Sequence, residues 1–248
     1  MGGDYILINK KILCIIPARG GSKGVRRKNL RNLGNKPLIQ WTIEEAQKSE
    51  YINKIIISTE DEEIEKVCEK MGAKVIKRPI ELATDDSPTI DSILYTLNIL
   101  EDVEKYVPDY VMLLQCTSPF RMFTDIDGAI EALLNKDEMY KSLISVIREE
   151  HPPWWLKSIN EDGILKDFIS YDKKQYSRRQ SFPSLYRLNG AIYICDIDEL
   201  KMRKSFETES TLAYIMNSNA SIDIDTEEDL EFAECIFEKN IKKVIKKN

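Results

Sequence analysis

The chain has 248 residues, 42% of them hydrophobic and 31% charged, with a net charge of −6. That is length for one large α/β domain or two small ones, and the acidic balance argues against a general nucleic-acid binder. Apolar runs reach about five residues against the roughly 20 needed to cross a bilayer, and no charged-then-apolar leader opens the sequence, so neither a membrane nor secretion is expected. Five scattered cysteines without a C-x-x-C pair fit a reducing cytoplasm. A single histidine, His151, excludes His-rich zinc sites, and between Glu149-Glu150 and Pro152-Pro153 it reads as a loop-positioning residue.

From residue 12 to about 148, apolar strands alternate with amphipathic helices. Ile12-Leu13-Cys14-Ile15-Ile16 is a buried strand, and Ile55-Ile56-Ile57 is a second that ends at Ser58-Thr59. Thr59-x-x-Glu62 reads as a capping box, with Ile64, Val67, Cys68 and Met71 following at helical spacing until Gly72. A strand starts at Ala73-Lys74-Val75-Ile76, a helix carries Ile90, Ile93, Leu94 and Leu97, and a strand covers Tyr110–Leu114. Thr124-x-x-Asp127 opens a further helix, and Leu143–Val146 forms the next strand. Repeated units of this length predict a Rossmann-like, mostly parallel sheet with helices on both faces. The rhythm breaks over 149–187, which is rich in proline and aromatic residues and has no sustained period. It resumes at Ala191–Cys195, and a strand at Ser221–Asp225 leads through a Thr226 cap into a final helix. The expected organisation is one domain, 1–248, with 149–187 as an inserted arm.

The first strand empties into Pro17-Ala18-Arg19-Gly20-Gly21-Ser22-Lys23-Gly24, a small glycine-rich loop that can offer free backbone N–H groups, Gly20 and Ser22 among them, beside cations. Six cations fall between Arg19 and Arg31, which points to a nucleoside triphosphate. Arg19 can fork two phosphate oxygens, and Lys23 and Lys28 act as point charges. Asn29 suits a phosphate or ribose contact. Neither the P-loop spacing nor G-x-G-x-x-G is present. Gln115 and Ser118 follow the end of a buried strand, the usual ligand crevice of open α/β sheets, or else form a satisfied turn before Pro119.

Asp223 and Asp225 alternate with Ile222 and Ile224 at the strand period, placing both carboxylates on one face. Side by side they repel, and a hard divalent ion, Mg2+ or Mn2+, would resolve the conflict; the alternative is the solvent face of an edge strand.

Five blocks in order, from Pro17–Gly24 with Lys28-Asn29 to Ser221–Thr226, make the chain resemble the CMP-sialic acid synthetase (acylneuraminate cytidylyltransferase) family along nearly its whole length. The middle blocks are Arg78-Pro79 with Glu81–Asp85, Leu114–Arg121, and Arg178-Arg179-Gln180 with Asn189–Tyr193. The resemblance implies that CMP passes from CTP to the anomeric hydroxyl of an acidic nine-carbon sugar, with Mg2+ on Asp223 and Asp225. It makes Arg178, Lys28 and Asp225 the catalytic set, adds Arg78 and Ser87 to the nucleotide contacts, and gives Arg178, Arg179, Lys157, Gln115 and Ser118 to the sugar. Ser87-Pro88-Thr89 and the Trp154-Trp155 neighbourhood of Lys157 depart from the family's commoner pattern. The arm is implied to build a homodimer and to close over the neighbouring subunit's sugar site. An enzyme for an eight-carbon 3-deoxy sugar acid is disfavoured by Gly20-Gly21-Ser22, and an idle nucleotide sensor by the aspartate pair.

Overall fold

In a computed structural model the protein is described over residues 10–172, 174 and 182–245, with side-chain surroundings given as far as residue 239. A seven-stranded sheet runs β11-β7-β10-β6-β1-β4-β5. Its strands are β1 (Ile12–Pro17), β4 (Ile52–Thr59), β5 (Lys74–Lys77), β6 (Tyr110–Leu114), β7 (Ser142–Arg148), β10 (Tyr186–Asp196) and β11 (Thr211–Ile215). β10 runs antiparallel to both of its neighbours, and the other pairings are parallel. Two small hairpins, β2 (Asn32–Leu33) with β3 (Lys36–Pro37) and β8 (Lys157–Ile159) with β9 (Leu165–Asp167), stand apart from it.

The helices are α1 (Leu38–Lys48), α2 (Glu62–Lys70), α3 (Thr89–Glu104), α4 (Phe123–Leu134), α5 (Ile197–Arg203) and α6 (Glu227–Ile245). β1 is central and buried on both faces, which is why its sequence reads as an unbroken apolar run. Its side chains alternate between two cores. Ile12, Cys14 and Ile16 pack with α1, α2 and α4 through residues such as Ile43, Ile64 and Ile130. Leu13 and Ile15 pack with α3 and α5 through Ile93, Leu97 and Leu200. Helices therefore cover both faces, as the sequence predicts. A third cluster joins Val25, Leu33 and Leu38 to Ile224, Leu230 and Ala233, so the loop after β1 is packed against the segment that enters α6. Among the described residues no helix is long and apolar enough to cross a membrane. All five cysteines are free, and four are buried.

Several boundaries differ from the sequence reading. Ser221–Asp225 is a loop, not a strand; Ile224 is held by its backbone N–H on Thr117 O (2.9 Å), so strand periodicity is not what places the two aspartates. The cap of α2 is Asp61 rather than Thr59: its Oδ1 accepts from the Glu63 and Ile64 amides, while Thr59 Oγ1 accepts from the Asp61 amide. α4 starts two residues earlier than Thr124-x-x-Asp127 suggests, because Asp125 Oδ2 accepts from the Met122 amide at 2.9 Å. The Thr226 cap is present, with the Asp229 amide donating to Thr226 Oγ1 and Asp229 Oδ2 accepting from the Thr226 amide. The 149–187 segment holds a 3-10 turn (Pro153–Trp155) and the β8–β9 hairpin. α1, α5 and β11 are elements that the sequence reading above does not contain.

Asp61 also receives the Arg27 guanidinium, with Nη2 3.0 Å from Oδ1, and this bond with the two cap amides holds its carboxyl below the usual range. A folded-state value below the unfolded one contributes stability above the ordinary carboxylate range and loses it as pH falls through the depressed value. Asp61→Ala is expected to cost about 1–2 kcal/mol in urea unfolding at pH 7. The gap to the unaltered chain should close progressively below pH ~4; a pH-independent gap would contradict the ion-pair contribution.

Candidate active site

In the order β6-β1-β4, the chain leaves β1 to one side for β4 and β5 and later returns on the other side as β6. Such a reversal opens a crevice at the carboxyl ends of the strands. The loop after β1 is fixed over it by specific bonds. The Ala18 amide donates to Ser58 O (2.9 Å), the Gly20 amide to Glu60 Oε1 (2.6 Å), and Asn29 Nδ2 to Arg19 O (2.9 Å). Glu60 also accepts from Arg78 Nε and Nη2 at 3.2 and 3.1 Å, tying the loop to the stretch beyond β5. Gly20 is needed here because a Cβ would collide with the Asp61 carboxylate.

Two adjoining cavities share Pro17, Arg19 and Thr89. One, of about 150 Å³, is bounded by Ser22, Lys28, Asn29 and Gln115; the other, of about 260 Å³, by Arg78, Asp85 and Ser87. Thr89 opens α3, so the positive end of a 16-residue helix adds to the cations at this place. Each principal cation is held by a carboxylate. Asp85 receives Lys23 Nζ (2.8 Å) and Arg19 Nη2 (2.9 Å), which keep its carboxyl below the usual range. Lys28 Nζ reaches both Ile224 O and Asp225 Oδ1 at 2.9 Å.

Asp225 is exposed, whereas Asp223 is half buried, with Oδ1 enclosed and without a hydrogen bond of ordinary geometry. Burial pushes the Asp223 carboxyl up, only partly opposed by the Thr117 hydroxyl, and the Asp225 charge pushes it further. Gly190, at φ 73°, lies against Gln115 and Asp223: a Cβ there would stand 3.0 Å from Gln115 Oε1 and 3.8 Å from Asp223 Oδ2. The pair opens onto a cavity of about 550 Å³ that also meets Arg148, His151 and Arg187. A buried carboxylate oxygen lacking a partner, next to a second carboxylate, fits a hard divalent cation. No group of three His, Cys, Asp or Glu that could hold a metal ion occurs among the described residues.

The structure thus brings together Arg19, Ser22, Lys28, Asn29, Arg78, Ser87 and Gln115 around the two smaller cavities, with Lys23 at their rim and Asp223 and Asp225 beside them. The Gly20 amide is not free, being bonded to Glu60. Ser118 is fully buried rather than on the cavity wall. Lys157 pairs with Asp167 across the β8–β9 hairpin, its Nζ 5.4 Å from the Tyr171 ring centre. His151 is exposed. Arg178 and Arg179 lie outside the described residues. Sequence reasoning missed Glu60, Asp85, Thr117 and Gly190. Asp85 and Gly190 stand inside the quoted blocks, whereas Glu60 matters only through a tertiary contact.

A sequence profile described as cytidylyltransferase matches residues 13–246. N-acylneuraminate cytidylyltransferase of Escherichia coli O18:K1:H7 is 38% identical over 235 residues, 95% of this chain and 54% of its own length. CMP-N,N'-diacetyllegionaminic acid synthase of Legionella pneumophila is 37% identical over 233 residues, 93% of this chain and 97% of its own. The chain therefore spans about half the length of the first relative (54%) and nearly all of the second (97%). A solved CMP-2-keto-3-deoxy-manno-octonic acid synthetase complexed with CTP shares the fold, with a TM-score of 0.67 at 18% identity over 93% of this chain and 99% of that one.

Proposed function

We propose, from the premise that this chain belongs to the cytidylyltransferase family, that it transfers CMP from CTP to the anomeric hydroxyl of a sialic-acid-like nine-carbon acid and releases pyrophosphate. The observation that carries this reading is the 2.9 Å contact between Lys28 Nζ and Asp225 Oδ1, which joins the cation-rich loop to the aspartate pair. Lys28 then stands between an anion-binding wall and a cation-binding carboxylate pair, the two kinds of group that in-line attack on a phosphate requires side by side.

On this reading Arg19, Lys23 and Arg78 receive the triphosphate, exchanging Asp85 and Glu60 for phosphate oxygens, and they stabilise the departing pyrophosphate. Gln115 and Asn29 orient the nucleotide with neutral donors and acceptors. Asp223 and Asp225 would hold Mg2+ or Mn2+, which when bound supplies Lewis-acid polarisation of the phosphate and of the attacking hydroxyl. Lys28 keeps Asp225 in place until then and contributes charge at the reacting phosphate. Five free thiols fit a reducing cytoplasm.

Purified protein supplied with CTP, Mg2+ and a panel of acidic sugars should release pyrophosphate with N-acetylneuraminic or legionaminic-type acids. Turnover only with an eight-carbon acid, or with none, would overturn the assignment. Lys28→Ala should cost roughly 1.5–3 kcal/mol of transition-state stabilisation, about 10- to 150-fold in kcat/KM. An unchanged kcat/KM would reduce Lys28 to a structural tie.

The homodimer is part of the same proposal. The arm leaves and rejoins the sheet at one point, where the Glu149 amide donates to Leu185 O (2.8 Å) and Arg148 pairs with Tyr186. Along it Leu156, Ile159, Leu165 and Phe168 are exposed, more apolar surface than a lone hairpin keeps in water. Sedimentation at assay concentration should show a dimer.

A further inference from the structure

Among the described residues Arg121 is the largest side chain that is completely buried, at 1% exposure. Its Nη1 donates to Gln115 O (3.1 Å) and Ala191 O (2.8 Å), while no described residue accepts from Nε or Nη2. The two carboxylates that feel its charge are used elsewhere: Asp125 accepts from the Met122 amide and Glu45 from the Phe123 amide. A buried guanidinium with no bonded counter-charge is costly, and a neutral residue at such a place is often as stable or more so. The charge therefore needs a reason outside the packing of the free protein.

Its position supplies one. Gln115 and Ala191 follow β6 and lie within β10, adjacent strands that meet antiparallel beside the crevice. Gln115 and Cys116 line the smaller cavity, and Gly190, next to Ala191, faces Gln115 Oε1 and Asp223. The Cys116 thiol on that wall feels the charges of both Arg121 and Lys28. A fully buried cation is weakly screened by solvent, so its field reaches a bound anion more strongly than that of an exposed lysine.

We propose that Arg121 is a positioning residue for the triphosphate: it clamps Gln115 and Ala191 at the floor of the crevice and sets a fixed positive charge behind it. This rests on the cytidylyl-transfer reading. The bound anion is the missing counter-charge, and the protein carries the buried cation for that reason.

Two variants separate charge from hydrogen bonding. Arg121→Lys keeps a charge and can donate to both carbonyls; Arg121→Gln can donate but is neutral. Binding is measured by titration calorimetry with CTP and with cytidine, alongside thermal melting. Arg121→Gln should melt close to the unaltered chain yet weaken CTP about tenfold or more, with cytidine changed by less than about twofold, and Arg121→Lys should restore most of the difference. Equal CTP affinity in the Gln variant and the unaltered chain would overturn the proposal. So would a Gln variant that fails to fold where the Lys variant folds, since the charge would then serve the fold. An unaltered chain that binds CTP no better than cytidine would refute the triphosphate reading itself, a failure distinct from these.

Discussion

Asp223→Asn is expected to raise the melting temperature of the metal-free protein at pH 7 and to lower turnover at least about 100-fold. The two effects have one cause. Burial already pushes the Asp223 carboxyl above its ordinary range, the Thr117 hydroxyl opposes this only in part, the Asp225 charge adds to it, and Oδ1 has no hydrogen bond of ordinary geometry. A folded-state value above the unfolded one means that stability is complete below the ordinary carboxylate range and is lost as pH rises through the raised value. At pH 7 the carboxylate therefore strains the free protein, and the isosteric amide removes that strain. It also removes the donor a divalent ion needs. Calorimetric titration with Mg2+ in the presence of CTP should show a clear loss of binding, and the Asn variant should lack the fall in stability at rising pH. Turnover near that of the unaltered chain at saturating Mg2+ would end the assignment of this pair as the metal site.

The sheet was legible because its strands obey a simple rule. β1 and β6 are buried on both faces, so they read as unbroken apolar runs, and the helices between them carry apolar residues at helical spacing. The caps were less legible. Thr59 and Asp61 stand two residues apart, both can cap, and Arg27 from a distant loop favours Asp61. The aspartate pair was found for a reason only half correct. An alternating I-D-I-D pattern suggests a strand, but Asp223–Asp225 is a loop pinned by Thr117 O and by the packing of Ile224 against Val25 and Leu33. That pinning needs contacts more than 100 positions apart, which local periodicity does not encode. Local periodicity is equally silent on Glu60, whose two oxygens join Gly20 and Arg78 across 40 and 18 positions. The cations were visible as a cluster; their partners, set by the fold, were not.

Co-expression of an Arg178→Ala chain with an Asp225→Asn chain should give activity that neither has alone. The two ends of the arm are tied together where the Glu149 amide donates to Leu185 O, so it leaves and rejoins the sheet at one point. Its exposed Leu156, Ile159, Leu165 and Phe168 give a second copy of the chain something to bury. If the arm of one subunit delivers Arg178 to the crevice of the other, each homodimer of either variant has two defective sites. A mixed dimer has one site lacking both groups and one with both intact. Random pairing makes about half of the dimers mixed, with half of their sites intact, so about a quarter of the unaltered activity should return. If Arg178 instead serves its own chain's crevice, every site in the mixture lacks one group and activity stays at the level of the separate variants. Activity should then be assayed on tagged, tandem-purified mixed dimers, where the expected value doubles to about half. A mixed dimer recovered intact and still inactive would exclude a shared site, while leaving the cytidylyltransferase chemistry of the crevice to be judged by Asp223 and Lys28.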